Sequence, residues 1–567
     1  MTVKSVLMQL ALAAALLPQT AFAERGRDGQ VNILYWQAPS IMNPYLSGGI
    51  KDIEAASIVL EPLARYDAVG EMIPWLAEEI PTLENGGLSE DLRRITWQLR
   101  EGLLWSDATP VTSADVKFTW QYCTAEGGGC AQIESFDGIA AIGTPDAQTA
   151  VITFSEPQPF PYNAFVGAQA PVLQAAQFGD CLGPRAPQCT QANFNPIGTG
   201  PFTVTEFRPN DVIRFDANPL YREPDKPAFA SVLLKGGTDA EAAARAVLET
   251  GQFDYAWNLQ LSPVVLDRMT ASGKGHIVSG FSTLMERVVF NLTDPSADLG
   301  PERSTTAHPH PVLSDADLRR ALSMAIDRDL LAEIGYGVAG RPTCNILSAP
   351  EIYASSANDA CLAQKLDEAR ALLDAAGWAP GPDGVRVKDG VRLSLLFQTS
   401  TNAVRQDFQL LIKQWWEDIG AEVELRNIDP GVFFGSDPGS PDTYQKFHAD
   451  VQMFANQFVG TDPEAYMAGW SCSRIPGPDN QWQGSNVTRF CDPAYDALVA
   501  QLRRTAGLKE RARIVRQMND TLVQSHAIVP LLDRGRLSGH VASLGGVEMN
   551  PWDSELWNIA EWYRITE

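Results

Sequence analysis

Eight cysteines are the residues whose type and spacing point most directly to a chemistry, namely disulfide formation. They stand in four close sequential pairs: Cys123 and Cys130, Cys181 and Cys189, Cys344 and Cys361, Cys472 and Cys491. An even number of cysteines in an exported chain is typical of disulfides, and each sequential pair would close one local loop. We therefore favour these four pairings, although this number of cysteines allows many others.

Metal binding has little support in the sequence. The chain has no Cys-x-x-Cys pair with matching histidine spacing, which a zinc site would require. His308 and His310 come nearest to a pair of ligands, but they lie in a proline-rich segment. We therefore expect neither a metal nor a cofactor.

Motifs of catalytic sites are missing, so we expect a protein that is not an enzyme. The chain has no Gly-x-Ser-x-Gly, His-Glu-x-x-His or dinucleotide-binding fingerprint. Gly198-Thr-Gly200 lacks the Lys-Ser/Thr of a phosphate-binding loop, and we interpret it as a tight turn where backbones approach closely. A carboxylate pair of the glycoside hydrolase type stays open, because 69 acidic residues are available and the separation of such a pair is spatial.

The N-terminus has the pattern of a secretion signal. Lys4 precedes an apolar run at 6–17, and Ala21-Phe-Ala23 fits the small-x-small cleavage pattern. We expect the mature chain to begin near Glu24 and to carry no lipid anchor, because no cysteine follows the apolar run. The net charge of -25 and the lack of a basic stripe argue against nucleic acid as a partner.

The hydrophobic pattern predicts strands alternating with helices in the second half of the chain, which favours an α/β fold. Predicted strands are 31–36, 97–100, 204–207, 212–215, 253–257, 287–291, 393–397 and 423–425. Predicted helices are 52–60, 113–122, 240–250, 317–326, 367–376 and 405–419, with Ser314 as the cap of the fourth. A mature chain of this length exceeds one hydrophobic core and indicates two or three lobes.

Three segments in a fixed order carry a family resemblance. They are Leu-Arg-Glu-Gly-Leu-Leu-Trp-Ser-Asp at 99–107, Pro-Ile-Gly-Thr-Gly-Pro-Phe at 196–202, and Leu-Arg-Arg-Ala-Leu-Ser-Met-Ala-Ile-Asp-Arg at 318–328. Together they resemble the extracytoplasmic solute-binding proteins of peptide/nickel/opine-type ABC importers, the family that includes oligopeptide- and dipeptide-binding proteins. The resemblance covers nearly all of the mature chain.

The resemblance implies an α/β, two-lobe periplasmic binding protein fold of type II, in its large three-subdomain variety, with a ligand cleft between the lobes. Lobe one would comprise 24–61, 197–288 and 531–567. A subdomain inserted in lobe one would comprise 62–196, and lobe two 289–530. The chain would cross between the lobes at 287–291 and 530–534.

Residues 450–466 resemble the ligand loop of this family, a strand that runs into a turn ending in Asp-Pro. In peptide-binding members an aspartate four residues before that proline pairs with the amino group of the peptide. Here the position is Val459, and an apolar side chain cannot neutralise a buried ammonium ion. This departure argues against the ordinary mode of peptide binding, unless a small shift of alignment puts Asp462 in the role.

Polar and aromatic residues at strand ends and in loops are the candidate ligand contacts. They are Trp36, Trp257, Asn258, Phe433, Asn456, Gln457, Asp462, Trp470 and Trp482. Neutral polar groups beside tryptophans also suit a sugar, glycoside or opine-like ligand, which is therefore the alternative to a peptide or peptide-like solute.

The resemblance implies a soluble periplasmic protein that closes its lobes around a small organic solute and delivers it to an ABC permease in the inner membrane. We expect a monomer that performs no chemistry on its ligand. Two other functions stay open. One is an exported glycoside hydrolase, and the other is a sensor or chaperone that uses the same fold.

Overall fold

A computed structural model describes residues 24–435, 437–458 and 460–565 of the chain. The predicted secretion signal and Val459, on which the argument about the ligand amino group rests, lie outside the described residues. None of the described helices is long and apolar enough to cross a lipid bilayer.

Lobe one is built on a seven-stranded sheet. Its central strand, Gln30–Tyr35, runs parallel to both of its neighbours, and its apolar sequence fits a strand that is covered on both faces. The spatial order is Gly275–Gly280, Arg536–Val541, Tyr255–Trp257, Gln30–Tyr35, Ser231–Lys235, Val212–Ala217 and Phe202–Arg208. Gln30–Tyr35 therefore pairs directly with two strands that come about 200 residues later in the chain.

Lobe two is built on a six-stranded sheet. The spatial order is Gly340–Pro342, Ile528–Arg534, Met285–Phe290, Val451–Asn456, Ser394–Ser400 and Glu422–Ile428. All six residues of Met285–Phe290 are buried. Because side chains alternate along a strand, Glu286 and Arg287 point to opposite faces of this sheet.

The segment 62–196, here called the inserted region, has its own three-stranded sheet and apolar core. The strands are Arg94–Gln98, Thr149–Phe154 and Ile139–Gly143. Helix Ser113–Thr124 begins after Thr112, whose backbone N–H donates to the side chain of Asp115 at 2.9 Å. The remaining described strands form three small sheets. These pair Ala64–Tyr66 with Met72–Pro74, Ala379–Pro380 with Arg386–Lys388 and Val391–Arg392, and Leu544–Gly545 with Tyr563–Arg564.

Helices cover both large sheets. Those of lobe one and the inserted region are Ile50–Ala56, Ser113–Thr124, Ala175–Phe178, Thr190–Phe194, Ala240–Ala244 and Pro263–Thr270. Those of lobe two are Ala316–Met324, Arg328–Gly335, Leu366–Ala375, Ala403–Asp418, Pro430–Phe433, Glu464–Ala468, Pro493–Leu502 and Leu508–Gln524.

Two helix ends differ from the prediction. Asp315 rather than Ser314 caps helix Ala316–Met324, because its side chain accepts hydrogen bonds from the N–H groups of Asp317 and Leu318. The predicted helix 240–250 is regular over Ala240–Ala244 and continues as a wider turn through Arg245–Glu249.

The two crossings between lobes lie beside the segments that the resemblance implies. Gly280 ends a strand of the first sheet and Met285 begins a strand of the second. On the way back, Arg534 ends a strand of the second sheet and Arg536 begins one of the first. Residues 287–290 and 530–534 pair inside lobe two, so the chain crosses at 281–284 and at Gly535. The domain boundaries given above stay a prediction.

The eight cysteines form the four sequential disulfides that the spacing favours, with Cα–Cα distances from 4.6 to 5.9 Å. The interpretation of Gly198 and Gly200 as points of close backbone approach is also confirmed. A Cβ atom on Gly198 would lie 1.9 Å from the carbonyl oxygen of Val59, and one on Gly200 would lie 2.4 Å from that of Ile58. Both positions therefore require glycine.

Candidate functional site

A cavity lies between lobe one, lobe two and the inserted region. It encloses about 1350 Å³, part of which opens to solvent. Lobe one contributes Glu54, the inserted region contributes Gln132 and Glu134, and lobe two contributes Arg287 and Tyr466. Ligand sites commonly lie in such clefts between domains, where a few polar groups converge within a largely apolar wall.

Arg287 places a cation in the wall of this cavity. Its guanidinium carbon lies 4.9 Å from the ring centre of Phe454 and 5.0 Å from that of Trp470. Nη1 donates a hydrogen bond of 2.8 Å to the hydroxyl of Tyr466. Nε is buried and has no hydrogen-bond partner among the described residues.

Glu134 places a carboxylate in the wall of the same cavity, in the turn Ile133–Phe136. Its Oε1 accepts a hydrogen bond from Ser485 of lobe two and lies 3.8 Å from Nε of Arg474. Burial raises the pKa of Glu134, and the charge of Arg474 opposes this effect. Its second oxygen, Oε2, accepts no hydrogen bond from the described part of the chain.

Tyr444 lies near both of these charges. Burial raises its pKa to about 12, with Arg287 acting to lower that value and Glu134 acting to raise it. Tyr444 lines the cavity, and its ring lies 5.2 Å from that of Phe454, which Arg287 also contacts.

Asp462 is engaged by a neighbouring arginine. Nε and Nη2 of Arg511 donate to its two carboxylate oxygens at 2.9 and 2.7 Å, and Nη2 also donates to Glu464 at 2.9 Å. Asp462 also accepts from the backbone N–H of Glu464, which follows Pro463 at the start of a helix. The charge of Asp462 is thus already neutralised within lobe two.

A smaller extension of about 490 Å³ continues the cavity toward the two crossings and shares Tyr444, Phe454 and Asn456 with it. Its cations are compensated by carboxylates. Arg405 and Arg534 both face the buried Glu286, at 2.8 and 3.6 Å.

Six of the nine sequence-predicted ligand contacts line this cavity or its extension. They are Trp257, Asn258, Asn456, Gln457, Asp462 and Trp470. The ring of Trp257 stacks on Tyr35 at a centroid distance of 4.6 Å, and Asn258 binds Arg534 through its side-chain oxygen. Trp470 contacts Arg287, as described above.

Three predicted contacts have other positions. Trp36 packs in the core of lobe one, where its indole N–H donates to the carbonyl of Asn258 at 2.7 Å. Phe433 is fully buried in lobe two, and its neighbour Phe434 reaches the extension instead. Trp482 lies against His448 outside the residues that line the cavity. Trp36 and Phe433 thus serve apolar packing, whereas Trp482 is half-buried beside His448 and Lys446.

Sequence reasoning missed Arg287, Glu134, Tyr444 and Tyr466. Arg287 carried a usable signal, because an arginine within the buried strand Met285–Phe290 needs a specific partner. Glu134 carried none, since an acidic residue in a short turn is normally on the surface.

Comparison with known proteins finds similarity over most of the chain. Residues 71–477 match the family model described as bacterial extracellular solute-binding proteins, family 5 Middle. Protein XP55 of Streptomyces lividans is 27% identical over 86% of this chain and 80% of its own length. A putative ABC transporter peptide-binding protein of Brucella ovis is 26% identical over 80% of this chain and 77% of its own length.

Among solved structures, the oligopeptide-binding protein AppA from Bacillus subtilis, in complex with a nonapeptide, superposes with a TM-score of 0.81. It is 18% identical and covers 96% of this chain and 100% of its own. This likeness establishes the α/β two-lobe fold with a cleft between the lobes.

Proposed function

The chain belongs to family 5 of the bacterial extracellular solute-binding proteins, and we propose that it captures a short peptide or peptide-like solute for an ABC importer. The proposal includes the finer features that the family suggests: secretion to the periplasm by the N-terminal signal without a lipid anchor, action as a monomer, delivery to a membrane permease, and no chemistry on the ligand or binding of nucleic acid.

The observation that carries the proposal is the composition of the cavity wall. Amide side chains from different parts of the fold, namely Gln132, Gln445, Asn456 and Gln483, face the same space. Amides can donate and accept hydrogen bonds, as the backbone of a peptide requires. The free Oε2 of Glu134 supplies a negative acceptor for an amino group.

A neutral sugar fits this wall less well than a peptide does. Arg474 approaches Glu134 only to 3.8 Å and from the side of Oε1, so an ammonium group at Oε2 would stabilise this carboxylate more than a sugar hydroxyl would. The peptide-binding protein of Brucella ovis and the AppA complex also favour a peptide.

Closure of the lobes gives the mechanism of capture. A ligand that contacts both lobe two and the inserted region binds the closed form more tightly than the open form, and this difference in affinity drives closure. Closure removes the ligand from water, and the permease then binds the closed form of the protein.

The experiment starts from protein unfolded in guanidinium without reductant, dialysed and refolded, so that bound ligand is removed and the disulfides stay intact. The refolded protein is offered a tripeptide library and a library of mono- and disaccharides, and retained compounds are identified by mass spectrometry. We expect tripeptides to be retained, and selective retention of saccharides would overturn the proposal.

Glu134→Gln tests the amino-group contact in the same assay. It should weaken retention of free-amine tripeptides roughly 10-fold or more and leave N-acetylated tripeptides unchanged. Glu101→Gln, at an exposed position away from the cavity, is the matched control and should behave as wild type.

A further inference from the structure

Two histidines face each other on neighbouring strands of lobe one, away from the residues that line the cavity. His276 on strand Gly275–Gly280 is the direct cross-strand partner of His540 on strand Arg536–Val541. Their ring centroids are 5.9 Å apart, and the ring planes make an angle of 63°. The pairing of two strands that are distant in the chain creates this contact, so the spacing of histidines in the sequence gives no sign of it.

His540 has one ring nitrogen engaged and the other free. Its Nδ1 lies 2.9 Å from the backbone carbonyl oxygen of Val541. Because a carbonyl oxygen only accepts hydrogen bonds, Nδ1 carries the proton, and the lone pair of the neutral ring is on Nε2. Nε2 has no hydrogen-bond partner among the described residues. Metal-binding histidines commonly have this arrangement, since a carbonyl or carboxylate that accepts from the other ring nitrogen fixes the tautomer and the ring.

His540 is also neutral at pH 7. Burial lowers its pKa below the ordinary value of 6.5, and the neighbouring His276 lowers the pKa further, while the hydrogen bond to Val541 opposes both effects. On its other side His540 pairs with the buried Tyr255. A neutral imidazole is the form that binds a metal ion.

His276 completes the pair from the solvent side. It is exposed on the edge strand of the seven-stranded sheet, and its ring nitrogens form no hydrogen bond with the described residues. A metal ion lies about 2.0–2.1 Å from each imidazole nitrogen that binds it. Two rings already in contact therefore need only a rotation of this exposed side chain to share one ion.

We propose that His276 and His540 bind one divalent transition-metal ion on the surface of lobe one, with water as the remaining ligands. Imidazole suits Cu²⁺ and Zn²⁺, and Cu²⁺ is bound more tightly of the two. The described residues contain no group of three His, Cys, Asp or Glu side chains placed to hold a metal, so the protein supplies two ligands. All eight cysteines are in disulfides, and no thiolate competes for the ion.

The site joins the two strands that lead to the interlobe crossings. Gly275–Gly280 ends at the first crossing, 281–284, and Arg536–Val541 begins directly after the second, Gly535. An ion that binds only the folded protein shifts the unfolding equilibrium toward the folded state, so the metal should raise the melting temperature. The inference goes beyond the proposed function and does not depend on it, because neither histidine lines the cavity.

The test titrates ZnCl2 into untagged protein that has been treated with EDTA and dialysed, with titration calorimetry as the measurement. Excess MgCl2 in the buffer occupies surface carboxylates, because Mg²⁺ prefers oxygen ligands. We expect wild-type protein to bind one Zn²⁺ with an affinity that His276→Ala and His540→Ala each weaken roughly 10-fold or more, since loss of an outer-shell partner alone has an effect of this size. ZnCl2 should raise the melting temperature of the wild type and leave that of the variants unchanged.

His308→Ala is the matched control. His308 is also partly exposed, but its Nε2 lies 2.6 Å from a carboxylate oxygen of Glu302 rather than beside a second histidine. It should bind Zn²⁺ as the wild type does. Electron paramagnetic resonance of the Cu²⁺ complex gives the number of ligands separately, with coupling to two imidazole nitrogens in wild type and in His308→Ala, and to one in His276→Ala.

Three results would overturn the inference. They are a wild type that binds no Zn²⁺, a His276→Ala variant that binds Zn²⁺ as tightly as wild type, and equal losses in His276→Ala and His308→Ala. The last would mean that surface histidines bind the ion individually and without a site. Because His276 is exposed, His276→Ala decides the question even if His540→Ala fails to fold.

Discussion

Asp137 of the inserted region is bound by Arg474 of lobe two, directly beside the cavity. A second arginine of lobe two, Arg503, donates to the other oxygen of the same carboxylate. Asp137 follows the turn that holds Glu134, and Arg474 also lies near Glu134. The turn Ile133–Phe136 and the adjacent Asp137 therefore serve two purposes. They form part of the cavity wall, and they hold the inserted region against lobe two.

Asp137→Asn should weaken ligand binding without weakening the fold. The two ion pairs join the inserted region to lobe two, so under the proposed closure mechanism they favour the closed state. Because these groups are partly exposed, we expect a 3- to 10-fold loss of affinity, roughly what partly screened pairs contribute. Isothermal titration with the ligand measures the loss. X-ray scattering should show a larger radius of gyration for the liganded variant, and equal affinities would show that the pairs have no role in closure.

Asp462→Asn separates a structural role from a ligand contact. The sequence offers Asp462 as a partner of the ligand amino group, but both of its carboxylate oxygens are bound by Arg511. We therefore expect the free energy of unfolding to fall by about 2 kcal/mol, because the buried guanidinium of Arg511 loses one of its two carboxylate partners. Ligand affinity should change less than threefold. The reverse pattern, with affinity lost and stability kept, would make Asp462 the amino-group partner after all.

Glu464 should make the protein less stable as the pH rises from 5 to 7. Burial raises the pKa of Glu464 from its ordinary value of 4.5 to about 7, with Arg511 opposing the shift and Asp462 adding to it. Between these values the folded chain binds a proton that the unfolded chain has released, so folding is favoured at the lower pH and this gain is lost as the pH approaches 7.

Glu464→Gln should remove that part of the pH dependence, a difference of about 2 kcal/mol between pH 5 and pH 7 in urea unfolding. The control is Glu510→Gln on the surface of the neighbouring helix, where the carboxylate pairs with Arg513. Identical pH profiles for wild type and Glu464→Gln would mean that Glu464 stays charged in the folded protein.

The strand and helix pattern was predictable because it depends on local periodicity. Predicted strands 31–36, 212–215 and 287–291 correspond to Gln30–Tyr35, Val212–Ala217 and Met285–Phe290. The exact helix caps were less certain, since Ser314 and Asp315 are both good capping residues and tertiary packing selects between them.

The cavity wall was only partly predictable because its members come from distant parts of the chain. Asn456 and Gln457 were found through a local pattern at the end of a strand. Glu134 and Arg287 meet in one cavity through the inserted region and the interlobe crossing, which no local pattern describes. Tryptophans at strand ends gave an ambiguous signal, because Trp36 packs in the core whereas Trp257 and Trp470 line the cavity space.

Gly198→Ala should destabilise the protein more than an ordinary glycine substitution. The new methyl group would meet the carbonyl oxygen of Val59 at 1.9 Å, and this backbone cannot move without disturbing the hydrogen bond from Gly200 N to the same oxygen. We expect a loss of about 3 kcal/mol or a failure to fold. Gly477→Ala is the control, since nothing lies within 4 Å of its added methyl and its φ of -164° suits any residue. A melting temperature equal to that of the control would contradict the close approach.

Replacing both Cys472 and Cys491 by alanine should affect ligand binding as well as stability. Their disulfide closes a segment with a sequence separation of 19, and a bond of this kind stabilises a fold by about 2–4 kcal/mol. The segment carries Gln483 and Ser485 of the cavity wall together with Arg474, which binds Asp137.

Loosening this segment should therefore weaken ligand affinity even at temperatures where the variant is fully folded, as titration calorimetry and circular dichroism on the same sample can show. The double replacement of Cys344 and Cys361 is the matched comparison, because that disulfide has a similar separation of 17 but closes a segment that does not reach the cavity. It should lower the melting temperature to a similar extent and leave affinity unchanged. Equal losses of affinity in the two variants would mean that binding responds to global stability rather than to the position of the segment 472–491.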